Sequence, residues 1–363
     1  MGSIDNRLAA LAGSHVFLTG GAGLIGRQVR AQLLEAGASV SVLDNLSAAD
    51  RDTYALCGVN LDSPDLAVGS VHDTRLVAEH IARADYVVHA AAHSTVAGCL
   101  ADPDTAFASN IAGTETVLRA AARSPRLKRL VFLSSAQVYG HGSASRTHEQ
   151  VFTEDAPAQP LNLYASAKLW GEAQTRFLLN HAGVDYTVLR PFSVYGPGQI
   201  PKPKAFNWAI AQLSMYAAIG DPLPLNHGGR QVRDFLHVTD AATGILHALT
   251  APAASRQTLN LGAGRTTSIR QVAEMIQGHF PHAKITDGAS SAQDPLGGRA
   301  DITAMAEALG WEPKMTVADG IADFVTWLHD TPAAIPGWLR EEGGAQRLAA
   351  WRAVDDTARA ARS

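Results

Sequence analysis

The sequence predicts an α/β fold: a doubly wound parallel sheet followed by a smaller C-terminal lobe. Three observations carry that expectation. His15–Gly26 reads HVFLTGGAGLIG, an apolar strand, a tight turn with glycines every third residue, and a helix start. Short apolar strands then alternate with helical patterns as far as Arg190, and a stretch rich in Pro and Gly follows. Such alternation implies parallel strands with crossover helices, and the Pro/Gly change marks where the chain leaves the sheet. The expected division is a dinucleotide-binding domain over 14–190, completed by roughly 235–262, a substrate-binding lobe from 191–234 and 263–330, and a helical extension over 331–363.

The glycine turn has a chemical reading. Gly20 suits a backbone that a side-chained residue resists, Gly23 lets a pyrophosphate approach the main chain, and Gly26 allows close helix-to-strand packing. The helix start at Leu24 and Ile25 presents free N–H groups and a partial positive charge to phosphates. Ile25, Val29 and Leu33 recur every fourth residue, Gly37 sits where the helix should stop, and Val40–Asp44 reads as a second strand. Asp44 ends it roughly 20 residues past the glycines, where a carboxylate accepts hydrogen bonds from an adenosine ribose. The same carboxylate repels a 2′-phosphate, which favours NAD over NADP.

Further strands are expected at Leu66–Val68, Tyr86–Ala90, Arg129–Ser134, Val184–Arg190 and Thr258–Leu261. Helices are expected over about 73–82, 103–123 and 239–249, with others starting at Ser268, Ile302 and Val317. Asn45 to Pro64 is polar and turn-rich, as a loop near an adenosine could be. Ala91 and Ala92 are small, either to let a cofactor lie close or to let a helix pack. Trp338, Leu339, Leu348, Trp351 and Val354 suggest an amphipathic helix against the body or against another subunit.

Reactive residues gather where the fifth strand ends. Ser134-Ser135-Ala136-Gln137 lies at the carboxyl end of a parallel strand, which faces the ligand crevice. Tyr164 and Lys168, four apart, share one face of a following helix. An ammonium near a phenol stabilises phenolate, so Tyr164 could exchange a proton with a substrate alcohol while hydride moves to or from a nicotinamide. Ser135 would hydrogen-bond the same substrate oxygen.

Composition sets outer bounds. With 363 residues, 46% apolar and 18% charged, the chain can bury a large core. A net charge of −4 gives no reason to expect nucleic acid or membrane as a partner. No apolar run is long enough to span a bilayer, and the N-terminus lacks the features of a secretory signal. Cys57 and Cys99 are far apart without metal-type spacing, which fits thiols of a cytoplasmic protein. No metal site is expected, and His141 and His148 read as loop residues.

Several segments together resemble the extended short-chain dehydrogenase/reductase family, the NAD-dependent nucleotide-sugar epimerases and dehydratases. They are TGGAGLIG, DNLS at Asp44–Ser47, HAAA at His89–Ala92, NIAGT from Asn110, SSAQVYG, YASAK, RPFSVYGPGQ at Arg190–Gln199, RDFLHVTD at Arg233–Asp240 and LNLGAG at Leu259–Gly264. The likeness covers about residues 14 to 330 and is closest to UDP-hexose 4-epimerases. It implies a Rossmann-type sheet, a homodimer, and Ser135, Tyr164 and Lys168 as the catalytic residues. NAD would be held by Gly20, Gly23–Gly26, Asp44, Asn45, Ser47, Ser70, Val71, Ala90–Ala92, Asn110, Ser134, Tyr164, Lys168 and Pro191. The nucleotide sugar would meet Ser94, Ser135, Ala136, Gln137, Tyr164, Ser193, Asn207, Arg233, Asp294 and Gly298, with Arg233 on its diphosphate.

The chain departs from the family pattern at several points. Ser70 stands where an Asp commonly holds the adenine, and Ser193 where an Asn is usual. Ser291 replaces a second diphosphate arginine, a place that Arg299 or Arg265 could fill. Gly298 falls where a residue gates access for a C2 acetamido group, so a small residue predicts acceptance of an N-acetylhexosamine.

The resemblance also separates reactions. 4,6-Dehydratases place Asp and Glu after the serine, uronate decarboxylases carry Glu at the second position, and 3,5-epimerases of the GDP-mannose type use Cys there. Ala136 and Gln137 neither donate nor abstract a proton at neutral pH. Four-epimerisation of a UDP-linked hexose, through a transient 4-keto sugar, needs only the serine, tyrosine, lysine and NAD. A ketoreductase, dehydrogenase or dehydratase of nucleotide sugars, and a non-catalytic NAD-binding regulator, stay as alternatives.

Overall fold

A computed structural model describes residues 6–141, 150–201, 208–288 and 296–340. The chain opens with α1 (Asn6–Ala9), β1 (His15–Thr19), α2 (Leu24–Glu35), β2 (Ser39–Asp44), α3 (Arg51–Leu56), β3 (Leu66–Val68), α4 (Thr74–Ile81) and β4 (Tyr86–His89). It continues through α5 (Val96–Ala101), α6 (Pro103–Phe107), α7 (Thr114–Ala122), β5 (Arg129–Leu133), β6 (Gln150–Phe152), α8 (Leu163–Ala182), β7 (Asp185–Pro191) and β8 (Ser193–Tyr195). The remainder is α9 (Ala209–Ala218), β9 (Leu223–Leu225), β10 (Val232–Arg233), β11 (Phe235–His237), α10 (Val238–Thr250), β12 (Gln257–Leu261), β13 (Thr267–Ser268), α11 (Ile269–His279), β14 (Ile285–Asp287), β15 (Gly298–Ala300), α12 (Thr303–Leu309) and α13 (Val317–Asp330).

The main sheet has seven parallel strands in the order β12-β7-β5-β4-β1-β2-β3. Its inner strands are apolar runs because helices cover both faces; all of β5 is buried. Val29 and Leu33 of α2 pack with Ile245 and Leu246 of α10 on one face, and Val117 and Leu118 of α7 with Leu179 of α8 on the other. The strand order reverses between β1 and β4, which places the crevice at their carboxyl ends. A second lobe has its own core, in which Leu213 of α9, Val272 and Ile276 of α11 and Phe324 of α13 meet. This is a Rossmann-type α/β fold with a smaller lobe beside it.

Several elements differ from the sequence reading. The polar 45–64 segment contains α3, begun by Asp50, whose carboxylate accepts from the Thr53 N–H at 2.7 Å, and anchored by buried Tyr54. The single helix expected over 103–123 is broken by a π-helical turn at Ala108–Gly113. The bulge lets Asn110 turn inward, where its amide accepts from the His93 N–H at 2.7 Å and donates to the His93 carbonyl at 3.1 Å. Strand β6, absent from the sequence reading, pairs with β15, more than a hundred residues away in sequence. At the C-terminus, Pro332–Ala334 and Gly337–Leu339 form short 3₁₀ turns, with Ile335 and Leu339 buried in the second core and Trp338 packed against it. Leu348, Trp351 and Val354, like His148, lie outside the described residues.

Candidate active site

One crevice of about 1340 Å³ runs along the carboxyl ends of the strands, between the sheet and the second lobe. Its cofactor end is shaped by the glycine turn. Gly20 has φ +73°, and a Cβ there would sit 2.7 Å from the Ala91 amide nitrogen; one on Gly26 would collide with the Gly20 carbonyl. Gly23 has open space apart from the Gly20 carbonyl at 3.3 Å, and no side chain caps the helix it begins. Such a cradle fits a dinucleotide diphosphate. Leu24 and Ile25 line it, as do Asp44, Asn45, Ser47 and Val71.

Asp44 is oriented by the chain itself, accepting from the Ala22 N–H at 3.0 Å and the Leu46 N–H at 2.9 Å, while burial pushes its carboxyl above the usual range. Ser70 does not line the crevice, although Gly69 and Val71 on either side do. Its hydroxyl meets His72 Nδ1 at 2.9 Å, so the residue expected at the adenine has a local partner instead. Asn110 also stands behind the wall, holding the backbone of His93.

The floor is set by a buried relay that the sequence reading missed. His89 lies between Thr19 Oγ1 at 2.7 Å and Thr114 Oγ1 at 3.0 Å, and Thr19 Oγ1 in turn accepts from the Ala91 N–H at 3.2 Å. Burial, and then the charge of Lys168, pushes His89 down to about 3, so the ring is neutral at physiological pH. The relay fixes the end of β4, and Ala90, Ala91 and Ala92 line the crevice beyond it.

Ser135, Tyr164 and Lys168 come together on the wall. Ser135 starts a 3₁₀ turn over Ala136–Tyr139, its Oγ accepting from the Gln137 N–H at 3.2 Å. Asn162 caps α8 by accepting from the Ala165 N–H at 2.9 Å, and its amide donates to Gln137 Oε1 at 3.1 Å. One side chain thus orients both α8 and the residue beside the serine turn. Ser135 and Tyr164 line the crevice together, and Lys168 Nζ lies 5.7 Å from the centre of the Tyr164 ring. The ammonium donates to the Leu133 carbonyl at 2.7 Å.

The titration differs from the expected one. Burial pushes Tyr164 up to about 12, with Ser135 opposing, and pushes Lys168 down to about 8. Desolvation disfavours both charged forms and is the largest influence on each.

Behind the serine turn lies a second network. Ser134 donates to Glu172 Oε1 at 2.6 Å, and fully buried Glu172 receives Arg190 through Nε at 2.9 Å and Nη2 at 2.8 Å. Arg190 also donates to the Tyr139 hydroxyl at 2.9 Å, which donates to Asn260 Oδ1 at 2.6 Å. Burial opposes the guanidinium's charge, but Glu172 outweighs it and holds Arg190 above its ordinary range.

On the lobe side, Pro191, Ser193, Arg233 and Gly298 line the crevice, and Ser94 lines it just past β4. Arg233 donates from Nη1 to its neighbour's carbonyl at 2.8 Å. Buried Asp234 accepts from the N–H groups of Ala263 at 2.7 Å, Gly264 at 3.1 Å and Ala300 at 2.9 Å, tying β11 to the ends of β12 and β15. Burial pushes it up to about 6 against those bonds. Neither proposed substitute for the second arginine lines the crevice. Arg299 donates to the Gly264 carbonyl at 3.2 Å and Arg265 to the Met315 carbonyl at 3.5 Å. Gly298 needs no gate to explain it, because a Cβ there would collide with the Gln150 carbonyl in the β6–β15 pair. Asn207, Asp294 and Ser291 lie outside the described residues.

Residues 16–262 match the NAD dependent epimerase/dehydratase family. The chain is 30% identical to a UDP-glucose 4-epimerase of Mycolicibacterium smegmatis, over 86% of this chain and 98% of that one. It is 31% identical to a dTDP-glucose 4,6-dehydratase of Streptomyces griseus, over 87% and 94%. The structure of a UDP-glucose 4-epimerase from Thermotoga maritima superposes with a TM-score of 0.79 at 27% identity, covering 88% of this chain and 99% of that one. With a dinucleotide cradle, an acidic residue ending β2 and a serine–tyrosine–lysine wall on one crevice, the chain belongs to the NAD dependent epimerase/dehydratase family, within the extended short-chain dehydrogenase/reductases, and its cofactor is NAD.

Proposed function

We propose that the protein interconverts the C4 configuration of a UDP-linked hexose. Similarity alone leaves the reaction open, since its relatives include both a 4-epimerase and a 4,6-dehydratase. The observation that carries the reading is the neutral pair beside Ser135. Ala136 has no functional group, and the Gln137 amide is engaged by Asn162. Among the described residues, the carboxylates lining the crevice are Asp44 and Asp50 at the cofactor end and Asp234, which is tied to three backbone N–H groups. Among the described residues no carboxylate stands beside Tyr164 to drive elimination of water or loss of a C5 proton.

Tyr164 takes the proton of the C4 hydroxyl and later returns it, while Ser135 hydrogen-bonds the same oxygen. Lys168, held by the Leu133 carbonyl, keeps a positive charge beside the ring. NAD held in the glycine cradle would supply a hydride acceptor and donor, and a ring charge that favours phenolate. The 4-keto sugar turns over in the crevice between the two transfers, and the net reaction is redox-neutral. The crevice has room for both ligands, since about 1340 Å³ exceeds the roughly 300–1,000 Å³ of a pocket for one small ligand. Arg233 would take the sugar nucleotide's diphosphate, so the lobe formed by 191–234 and 263–330 holds the substrate and the sheet domain holds NAD.

Purified protein incubated with UDP-glucose, UDP-galactose and their N-acetylated counterparts should interconvert the C4 pair of at least one series, read by NMR. Acceptance of the N-acetylated pair would extend the substrate to hexosamines. Turnover confined to dTDP- or GDP-sugars would overturn the nucleotide assignment.

We further propose a homodimer in the cytoplasm. Leu100, Phe107 and Phe177 are exposed by 75%, 59% and 71% on α5, α6 and α8, three helices that pack together. Light scattering should give twice the chain mass for the native protein and one chain mass for Phe177→Glu; a monomeric native protein contradicts the assignment. Both cysteines are free, and no helix among the described residues is long and apolar enough to cross a membrane.

A further inference from the structure

Arg27 follows the last glycine of the turn and carries a guanidinium into the cofactor end of the crevice. Its Nε donates to the Gly23 carbonyl at 3.3 Å, its Nη1 to the Cys57 carbonyl just past α3, and its Nη2 to the Gly198 carbonyl at 3.2 Å. Three segments distant in sequence meet there: the first turn of α2, the end of α3 and the Pro/Gly stretch that leads into the second lobe. Cys57 adds to the junction by donating its thiol to the same Gly198 carbonyl at 3.4 Å. Gly198 is fitted to this partner. Its φ is +80°, and a Cβ would sit 2.9 Å from the guanidinium carbon.

The charge itself is unanswered. Among the described residues no carboxylate comes within 4.0 Å of the guanidinium, whereas Arg190 and Arg129 have Glu172 and Asp185. Three of five donors go to neutral carbonyls, and burial works against the cation. A partly buried cation at a helix start without a counter-charge is stabilised by an anion in the crevice, and the cofactor's diphosphate is the anion this cradle fits.

We propose that Arg27 is the residue that retains NAD, latching α3 and the Gly198 segment over the cofactor end of the crevice and supplying cationic charge for the dinucleotide diphosphate. The latch joins the sheet domain to the chain entering the lobe, so dissociation of NAD requires the Arg27–Cys57–Gly198 junction to open. The inference rests on the cofactor and not on the sugar reaction.

The test compares native protein with Arg27→Met and Arg27→Lys, reading NAD content after desalting and the rate at which iodoacetamide alkylates Cys57, by mass spectrometry. The native protein should keep its NAD and a protected Cys57. Arg27→Met should lose NAD, with a dissociation constant raised roughly 10- to 150-fold, the loss of a hydrogen bond to a charged group. Its Cys57 should be alkylated faster and regain protection when excess NAD is added, a recovery that a misfolded variant would not show. Arg27→Lys keeps the charge but not the fork and should fall between the two. NAD retention and Cys57 protection equal to native in both variants would overturn the proposal. So would equal loss that excess NAD fails to reverse. Should Arg27→Met fail to fold, the Lys variant and NAD-dependent protection of native Cys57 decide it, and labelling of native Cys57 indifferent to NAD counts against it.

Discussion

Tyr164→Phe is expected to lower the rate of sugar interconversion by about 10²–10⁴-fold, the usual contribution of a positioned acid–base group. The substitution removes one oxygen and leaves the ring against Lys168 and the α8 cap at Asn162 in place. NAD should be largely retained by the rest of the cradle, which separates lost chemistry from a lost site. Burial already pushes the phenol up to about 12 in the protein alone, so proton transfer depends on the charge that cofactor and Lys168 bring together. Initial rates with NAD content measured on the same sample check this. A variant within about tenfold of native would place the proton-transfer group elsewhere.

Arg190→Met is expected to cost about 3–5 kcal/mol of stability, because it leaves the Glu172 carboxylate buried without its cation. Arg176 approaches the same carboxylate at 3.5 Å but is half-exposed and cannot replace a two-pronged contact. Activity should fall as well, since Ser134 hangs from Glu172 and carries Ser135 with it. The double variant Arg190→Met with Glu172→Leu should recover much of the stability, as replacing both partners of a buried pair removes the unpaired charge. Denaturant midpoints of the single and double variants check the pair. A single variant within about 1 kcal/mol of native would show the network to be dispensable.

What the sequence disclosed follows from which constraints are local. Gly20 and Gly26 could be read because the turn demands their backbone within a few residues, and Tyr164 and Lys168 because helical spacing puts them on one face. Glu172 lies on the same helix, yet its partner Arg190 ends a different strand, and nothing in the spacing shows that both point inward. The relay through Thr19, His89 and Thr114 is hidden for the same reason, although His89 stood inside a motif already singled out. Arg27 reads as one more polar residue of an amphipathic helix until the carbonyls of Cys57 and Gly198 are brought to it.

Other differences arise where tertiary contact overrides local pattern. Helical periodicity over 103–123 is real, but Asn110 has to reach the backbone of His93, and a π-turn accommodates it. Ser70 was assigned by family position, whereas its hydroxyl has a partner two residues away. Gly298 was placed at a gate by family position; its size is set by the β6–β15 pairing, which no local pattern announces.

In the proposed reaction hydride leaves C4 and returns to C4 with no net redox change. Turnover of UDP-glucose carrying deuterium at C4, followed by NMR together with near-ultraviolet absorbance, tests it most directly. The predicted result is UDP-galactose that keeps the deuterium at C4, with no growth in the absorbance of reduced nicotinamide. A 4-keto-6-deoxy product with deuterium at C6, or reduced nicotinamide formed in step with product, would contradict it.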